Sequence, residues 1–172
     1  MEQFLVVIRG APASGKTTIA KKFRDFKKKV VWLKVDNFKD FFAQEASLEE
    51  QNYVDGCALE TLKYLLDSGF SVIMEKIFYD PSIISKAINE ANKRNIKNKV
   101  FQIKCSLKTL QKRDRERPGV PEGLRKALGD QVIEDLYNQL EKTYYPDAIS
   151  LNTEELSIDK CVDFIKKELN IK

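Results

Sequence analysis

Short apolar runs alternate along the chain with segments whose apolar residues recur every three or four positions. Phe4–Ile8 (FLVVI), Val30–Val35 (VVWLKV), Phe70–Met74 (FSVIM), Val100–Cys105 (VFQIKC) and Ala148–Leu151 (AISL) read as five strands. Helical spacing follows each of them. Ile19, Ala20, Phe23 and Phe26 mark a helix over Lys16–Phe26, and Val54, Ala58, Leu62 and Leu65 mark another over Leu48–Leu66. Asp80-Pro81 opens a third, with Ile83, Ile84, Ala87, Ile88 and Ala91 on one face. A fourth starts at Leu107 behind Ser106, and a fifth pattern runs from Glu122 to about Lys142 with a bend near Gly129. The last helix turns Ile158, Val162, Ile165 and Leu169 inward. Strands each followed by a helix predict βαβ units and an α/β fold whose parallel sheet is covered on both faces. Such sheets bind ligands at the carboxyl ends of their strands, so the residues just after each strand carry the functional reading.

Length and charge narrow the class. The 172 residues fit a single domain spanning 1–172. Thirty basic and 26 acidic residues leave a net charge of +4, which permits anionic ligands without itself arguing for nucleic acid. Cys57, Cys105 and Cys161 are isolated and lack metal spacing, as expected of a reduced, cytoplasmic chain. The sequence contains no histidine, which excludes a His-based triad, a His general base and a His-ligated zinc site. No apolar run reaches membrane length, so no membrane partner is expected.

After the first strand, Gly10-Ala-Pro-Ala-Ser-Gly15-Lys16-Thr17 matches the phosphate-binding pattern G-x-x-x-x-G-K-[ST] without a mismatch, between a strand and a helix as that pattern requires. Backbone N–H groups of such a loop curl round phosphate oxygens, and the helix N-terminus adds partial positive charge. Lys16 is expected to reach the β- and γ-phosphates and Thr17 to ligate Mg²⁺. Gly10, Ala13, Ser14, Gly15, Lys16, Thr17 and Thr18 are thus the expected contacts for ATP.

Asp36 ends the second strand. It fits a base that accepts the proton of a substrate hydroxyl, and it equally fits an aspartate capping the next helix. Phe38, Phe41 and Phe42 behind it suit a pocket wall or, at helical spacing, the core. Glu75 ends the third strand, where an acid can hold a Mg²⁺-bound water; the neighbouring Lys76 offers a structural pairing instead.

The segment RDRERPG (Arg113–Gly119) follows the fourth strand. In a helix over Leu107–Arg117, Arg113 and Arg117 share a face and Arg115 points away. Asp114 and Glu116 alternate with them like residues of a solvated face. Pro118, Gly119 and Pro121 end the helix, and Arg125 follows. Phosphoryl transfer spreads charge over equatorial oxygens, which arginines on such a flap would stabilise while excluding water.

Phosphate loop, VDNF, an acid after strand three and RDRERPGVPEGLR together resemble the small P-loop kinase group. Within it the chain is similar to the kinase domain of phage-type polynucleotide 5′-hydroxyl kinases, to chloramphenicol phosphotransferase and to zeta-toxin-like kinases. The resemblance implies a three-layer αβα P-loop NTPase fold with strand order 2-3-1-4-5 and an arginine-bearing helical lid over residues 107–126 or so. It implies that Asp36 is the acceptor-hydroxyl base. It aligns Arg113, Arg117, Val120-Pro121 and Leu124-Arg125 with the family's flap, where Pro118 stands as an extra residue before Gly119. It also places adenine contacts after strand five, in LNTEEL (Leu151–Leu156), with Asn152 and Arg117 among the nucleotide contacts.

The expected activity is an ATP- and Mg²⁺-dependent kinase acting on a hydroxyl of a small molecule, as a monomer or homodimer. A catalytic set of Lys16, Asp36, Arg113 and Arg117 and a metal set of Thr17 and Glu75 follow. A polynucleotide 5′-hydroxyl kinase is the alternative, drawing on seven basic residues between Lys108 and Lys126 and on Lys27-Lys28-Lys29. The chain carries no appended phosphatase or ligase domain, which favours the small molecule. A nucleoside monophosphate kinase would want arginines near strands two and three, and none lies between Arg24 and Arg94. A P-loop switch ATPase would not need Asp36 as a base.

Overall fold

The strands are β1 (Phe4–Gly10), β2 (Val30–Lys34), β3 (Ser71–Glu75), β4 (Lys97–Lys104) and β5 (Ala148–Asn152), in a computed structural model that describes residues 2–42, 48–117 and 126–171. They pair in parallel in the order β2-β3-β1-β4-β5, as the resemblance implied. The helices are α1 (Lys16–Arg24), α2 (Leu48–Asp67), α3 (Ser82–Asn92), α4 (Leu107–Arg115), α5 (Asp130–Glu141) and α6 (Ile158–Glu168).

All seven residues of β1 are buried because the strand is covered on both sides. Side chains alternate across a strand, so Leu5 and Val7 pack toward α2 and α3, against Val54, Leu62 and Ile84. Phe4, Val6 and Ile8 pack on the other face with Ile19 and Phe23 of α1 and Val162 and Ile165 of α6. Two cores on either side of one sheet are the three-layer arrangement. Each such side chain contributes about 1.5–3 kcal/mol on burial, so the middle strand anchors the loop that follows it.

Three expectations change. The residues after β2 form a 3₁₀ helix over Val35–Phe41, and the aromatic trio divides there. Phe38 and Phe42 pack on the core, whereas Phe41 is 76% exposed and meets Phe38 edge-on. Of the helical pattern from Glu122 to Lys142, α5 covers Asp130–Glu141, and the described residues just before it, 126–129, are irregular. Gly129 adopts φ 93°, which ends any helix approaching from before it and makes it the N-cap of α5 rather than a bend. α4 stops at Arg115, so Arg117 lies beyond its last turn. The expected flap residues Pro118, Gly119, Val120-Pro121 and Leu124-Arg125 lie outside the described residues. Among those described, no helix is long and apolar enough to cross a membrane.

Candidate active site

The phosphate loop leaves β1 at Gly10 and enters α1 at Lys16, with Gly15 as N-cap. At Gly10 (φ 153°) a Cβ would stand 2.5 Å from the Ile103 carbonyl oxygen of β4, so the loop hugs the neighbouring strand more closely than any side chain allows. No side chain caps α1 and its first turn holds no acid. The first N–H groups therefore have no side-chain acceptor from the cap, and the helix end suits an anion such as a phosphate. Lys16 is buried and its Nζ donates to the Ala11 carbonyl at 2.7 Å, held against its own loop.

Ile8 of β1 and Lys34 of β2 both register with Glu75 of β3, which sets this carboxylate at the loop's edge. Glu75 is only 4% exposed. The Thr17 hydroxyl lies 3.1 Å from its Oε1 and 3.3 Å from its Oε2, and the Trp32 indole Nε1–H donates to Oε2 at 3.1 Å. Lys76 turns away to pair with Asp55 of α2 at 2.5 Å, leaving Glu75 to Thr17 and Trp32. Among the described residues no group of three His, Cys, Asp or Glu side chains could hold a metal. A divalent cation here would rely on Thr17, Glu75, water and phosphate oxygens, the set that suits Mg²⁺.

The arginine segment is more divided than its sequence suggests. Arg113 donates through Nη1 to the Thr153 hydroxyl and through Nη2 to the Thr153 carbonyl, both at 2.8 Å. Thr153 in turn donates to the Ser14 carbonyl at 3.0 Å, so α4, the loop after β5 and the phosphate loop are tied through one threonine. Asp114, expected on a solvated face, is 0% exposed. Its Oδ2 accepts from Leu128 N at 2.7 Å and Gly129 N at 3.0 Å, holding the entrance to α5. Its Oδ1 lies 3.1 Å from Arg117 Nε. Arg115, by contrast, projects into solvent beside Asp130 at 3.4 Å.

One cavity of about 610 Å³ joins these elements. Ala13, Gly15, Lys16, Thr17 and Thr18 form its floor, and Arg113 and Arg117 approach from the α4 side. Thr153, Leu156 and Ile158 close one end, while Trp32 and Lys34 close the other. Gly10 and Ser14 are not on its wall; Ser14 faces a smaller cavity of about 50 Å³ behind the loop. Asn152 is also off the wall, with its amide donating to Glu155 at 2.8 Å and its carbonyl accepting from Glu154 N. The residues of LNTEEL that line the cavity are Thr153 and Leu156.

Asp36 sits in the first turn of the 3₁₀ helix, 18% exposed, with Lys39 at 3.1 Å. It does not line the large cavity. Its neighbour Tyr79, which sequence reasoning did not single out, has a buried hydroxyl with no hydrogen-bond partner among the described residues. Burial, and then the Asp36 charge, push the Tyr79 phenol above its usual range. Tyr79 also packs near Ala11 and Ala13 of the phosphate loop. Beneath it, buried Arg9 of β1 donates to the Phe78 carbonyl at 3.2 Å and to the Thr143 hydroxyl at 2.8 Å. Burial lowers the Arg9 guanidinium from its usual range, opposed by Glu141. No spacing rule would have found Tyr79, Arg9 or Thr153, because each is defined by partners far away in sequence.

The geometry has clear relatives among solved structures. A sugar kinase from Janibacter is 18% identical, with 99% of this chain and 96% of that chain covered and a TM-score of 0.71. The tunicamycin resistance protein of Deinococcus radiodurans is 15% identical, covering 99% and 98%, with a TM-score of 0.70. A chain of the Pnkp1/Rnl/Hen1 RNA repair complex is 21% identical over 83% of this chain, with a TM-score of 0.65, and this chain spans only 45% of its length. No curated protein sequence matches. The shared architecture is that of P-loop kinases, a nucleotide-binding fold. Residues 2–145 match the Zeta toxin family model, which is most of the chain, and the chain therefore belongs to the Zeta toxin family.

Proposed function

We propose that the protein is an ATP-dependent kinase that transfers the γ-phosphoryl group to a hydroxyl of a small molecule. The observation that carries this reading is the cavity that joins Lys16 and Thr17 on its floor to Arg113 and Arg117 on its α4 side. Such a site meets a transferring phosphoryl group with cations from both directions. Lys16 and the N-terminus of α1 would bind the phosphates. Thr17 and Glu75 would hold the divalent cation, which when bound neutralises charge on the phosphate oxygens. Arg117 would stabilise the charge on the equatorial oxygens, while Arg113, tied to Thr153, fixes the wall against which the nucleotide lies. Asp36 would take the proton of the acceptor hydroxyl as the acceptor oxygen bonds to phosphorus and the bond to the β-phosphate oxygen breaks.

A small acceptor is favoured because a sugar kinase stands among the structures this chain resembles. The test is a screen of γ-phosphate transfer to sugars, nucleosides, antibiotics and 5′-hydroxyl oligonucleotides. Transfer to a small hydroxyl compound is expected, with kcat lowered about 10²–10⁴-fold in Asp36→Asn. Transfer to the oligonucleotide alone would move the acceptor to nucleic acid. A steady ATPase rate indifferent to every acceptor and to Asp36→Asn would replace the kinase reading with a switch ATPase.

A further inference from the structure

The contact that neither the motif nor the catalytic reading uses is the one between Trp32 and Glu75. Trp32 belongs to β2, the edge strand, and registers with Ile73 of β3; Lys34 two residues on registers with Glu75. Residues two apart on a strand share a face, so Trp32 and Glu75 stand on the same side of the sheet as diagonal neighbours. That is the α1 side, where Ile73 packs with Ile19 and Phe23. A diagonal separation is within reach of an aromatic side chain but not of a short one. The indole is therefore the kind of group that can bridge from the edge strand to the acid.

Its chemistry is restrictive. Indole Nε1–H is a donor only, so at 3.1 Å it can meet Oε2 only as an acceptor. The Thr17 hydroxyl meets the same carboxylate, closest to Oε1 at 3.1 Å. Glutamate has one more rotatable bond than aspartate at this position, and that freedom must be removed before the carboxylate can serve a small cation with demanding geometry. The ring that removes it is itself held. Lys21 Nζ lies 5.7 Å and Arg24 Cζ 6.0 Å from the ring, within the range of cation–π attraction. Trp32 also lines the nucleotide cavity.

We propose that Trp32 is the positioning residue of Glu75. Through its indole N–H it holds the carboxylate toward Thr17 and so sets the affinity of the site for the divalent cation that accompanies the nucleotide. This rests on Thr17 and Glu75 being the cation site. Partners that orient a metal-binding carboxylate typically change metal affinity about 10–100-fold when removed.

Trp32→Phe removes the N–H and keeps most of the packing. The experiment titrates Mg²⁺ into wild type, W32F and E75Q, each with ADP, and follows ADP binding by calorimetry, with a parallel series in EDTA. For W32F the Mg²⁺ concentration giving half of the affinity gain should rise about tenfold, with ADP affinity in EDTA unchanged within twofold. An unchanged Mg²⁺ requirement in W32F, with E75Q impaired, overturns the Trp32 proposal alone. An unchanged requirement in E75Q overturns the cation site and the proposal with it. A loss of ADP affinity in EDTA equal to that in Mg²⁺ would make Trp32 a wall of the nucleotide site and overturn the proposal as well. If W32F does not fold, the wild-type chain still decides, because Trp32 is its single tryptophan. Adding Mg²⁺ to the ADP complex formed in EDTA should change its emission, and no change overturns the proposal.

Discussion

The phosphate loop and the arginine segment supply charge to the same cavity from opposite sides, and they are built differently. The loop is one contiguous stretch, Gly10–Thr17, whose conformation follows from its own glycines and from the strand and helix at its ends. Its main outside partner, Glu75, arrives through sheet register. The arginine segment is also contiguous in sequence, yet its residues disperse. Arg113 goes to Thr153, Asp114 to the entrance of α5, Arg117 to Asp114, and Arg115 to solvent. The lesson is that a cluster of charges in sequence need not be a cluster in function. Here a buried acid holds one of the three arginines, Arg117.

That contrast can be broken most severely at the loop. Lys16→Ala should abolish transfer while shifting the urea unfolding midpoint little, since its Nζ donates to the Ala11 carbonyl of its own loop; retained turnover would remove the phosphate-loop assignment. Arg117→Ala is next. It should lower kcat about 10³-fold while ADP affinity changes less than threefold, because its charge acts on the transferring group. If affinity falls as far as kcat, Arg117 is a ground-state contact and the clamp reading fails. Asp114→Ala sharpens the comparison, because it should act on stability and activity together. Two backbone N–H groups lose their acceptor and Arg117 loses its partner, at a cost of about 3 kcal/mol measured by urea unfolding. A loss below about 0.5 kcal/mol would mean the carboxylate is not holding α5. Arg115→Ala should do least. Stability within about 0.5 kcal/mol and turnover within twofold are expected of an exposed ion pair. A defect like that of Arg117→Ala would put the wrong arginine in the cavity.

Several elements are legible in the sequence. Five strands, their order through the family resemblance, and the loop at Gly10–Thr17 all correspond to what is observed. Thr17 and Glu75 were expected in one metal set from their places after strands one and three, and their side chains lie 3.1 Å apart. The helix over Glu122–Lys142 was legible at its far end but not at its start, because its apolar spacing continues through Gly129, where φ 93° and the Asp114 bonds set the entrance to α5. Asp114 was misread as a surface residue since alternation with arginines is also what a solvated helix looks like. Asn152, expected at the nucleotide, holds its side chain on Glu155, while its neighbour Thr153 lines the cavity.

By itself the sequence determined what local chemistry can encode. Period-two and period-3.6 patterns specify elements, and a glycine-bounded loop before a helix specifies an anion site whatever surrounds it. The tertiary structure alone decided which charged groups are buried and against what. Trp32 reaches Glu75 across 43 residues, Arg113 reaches Thr153 across 40, and Arg9 reaches Thr143 across 134. Burying a charge is costly unless a partner meets it, and those partners are brought together only by the packing of the whole sheet and its helices.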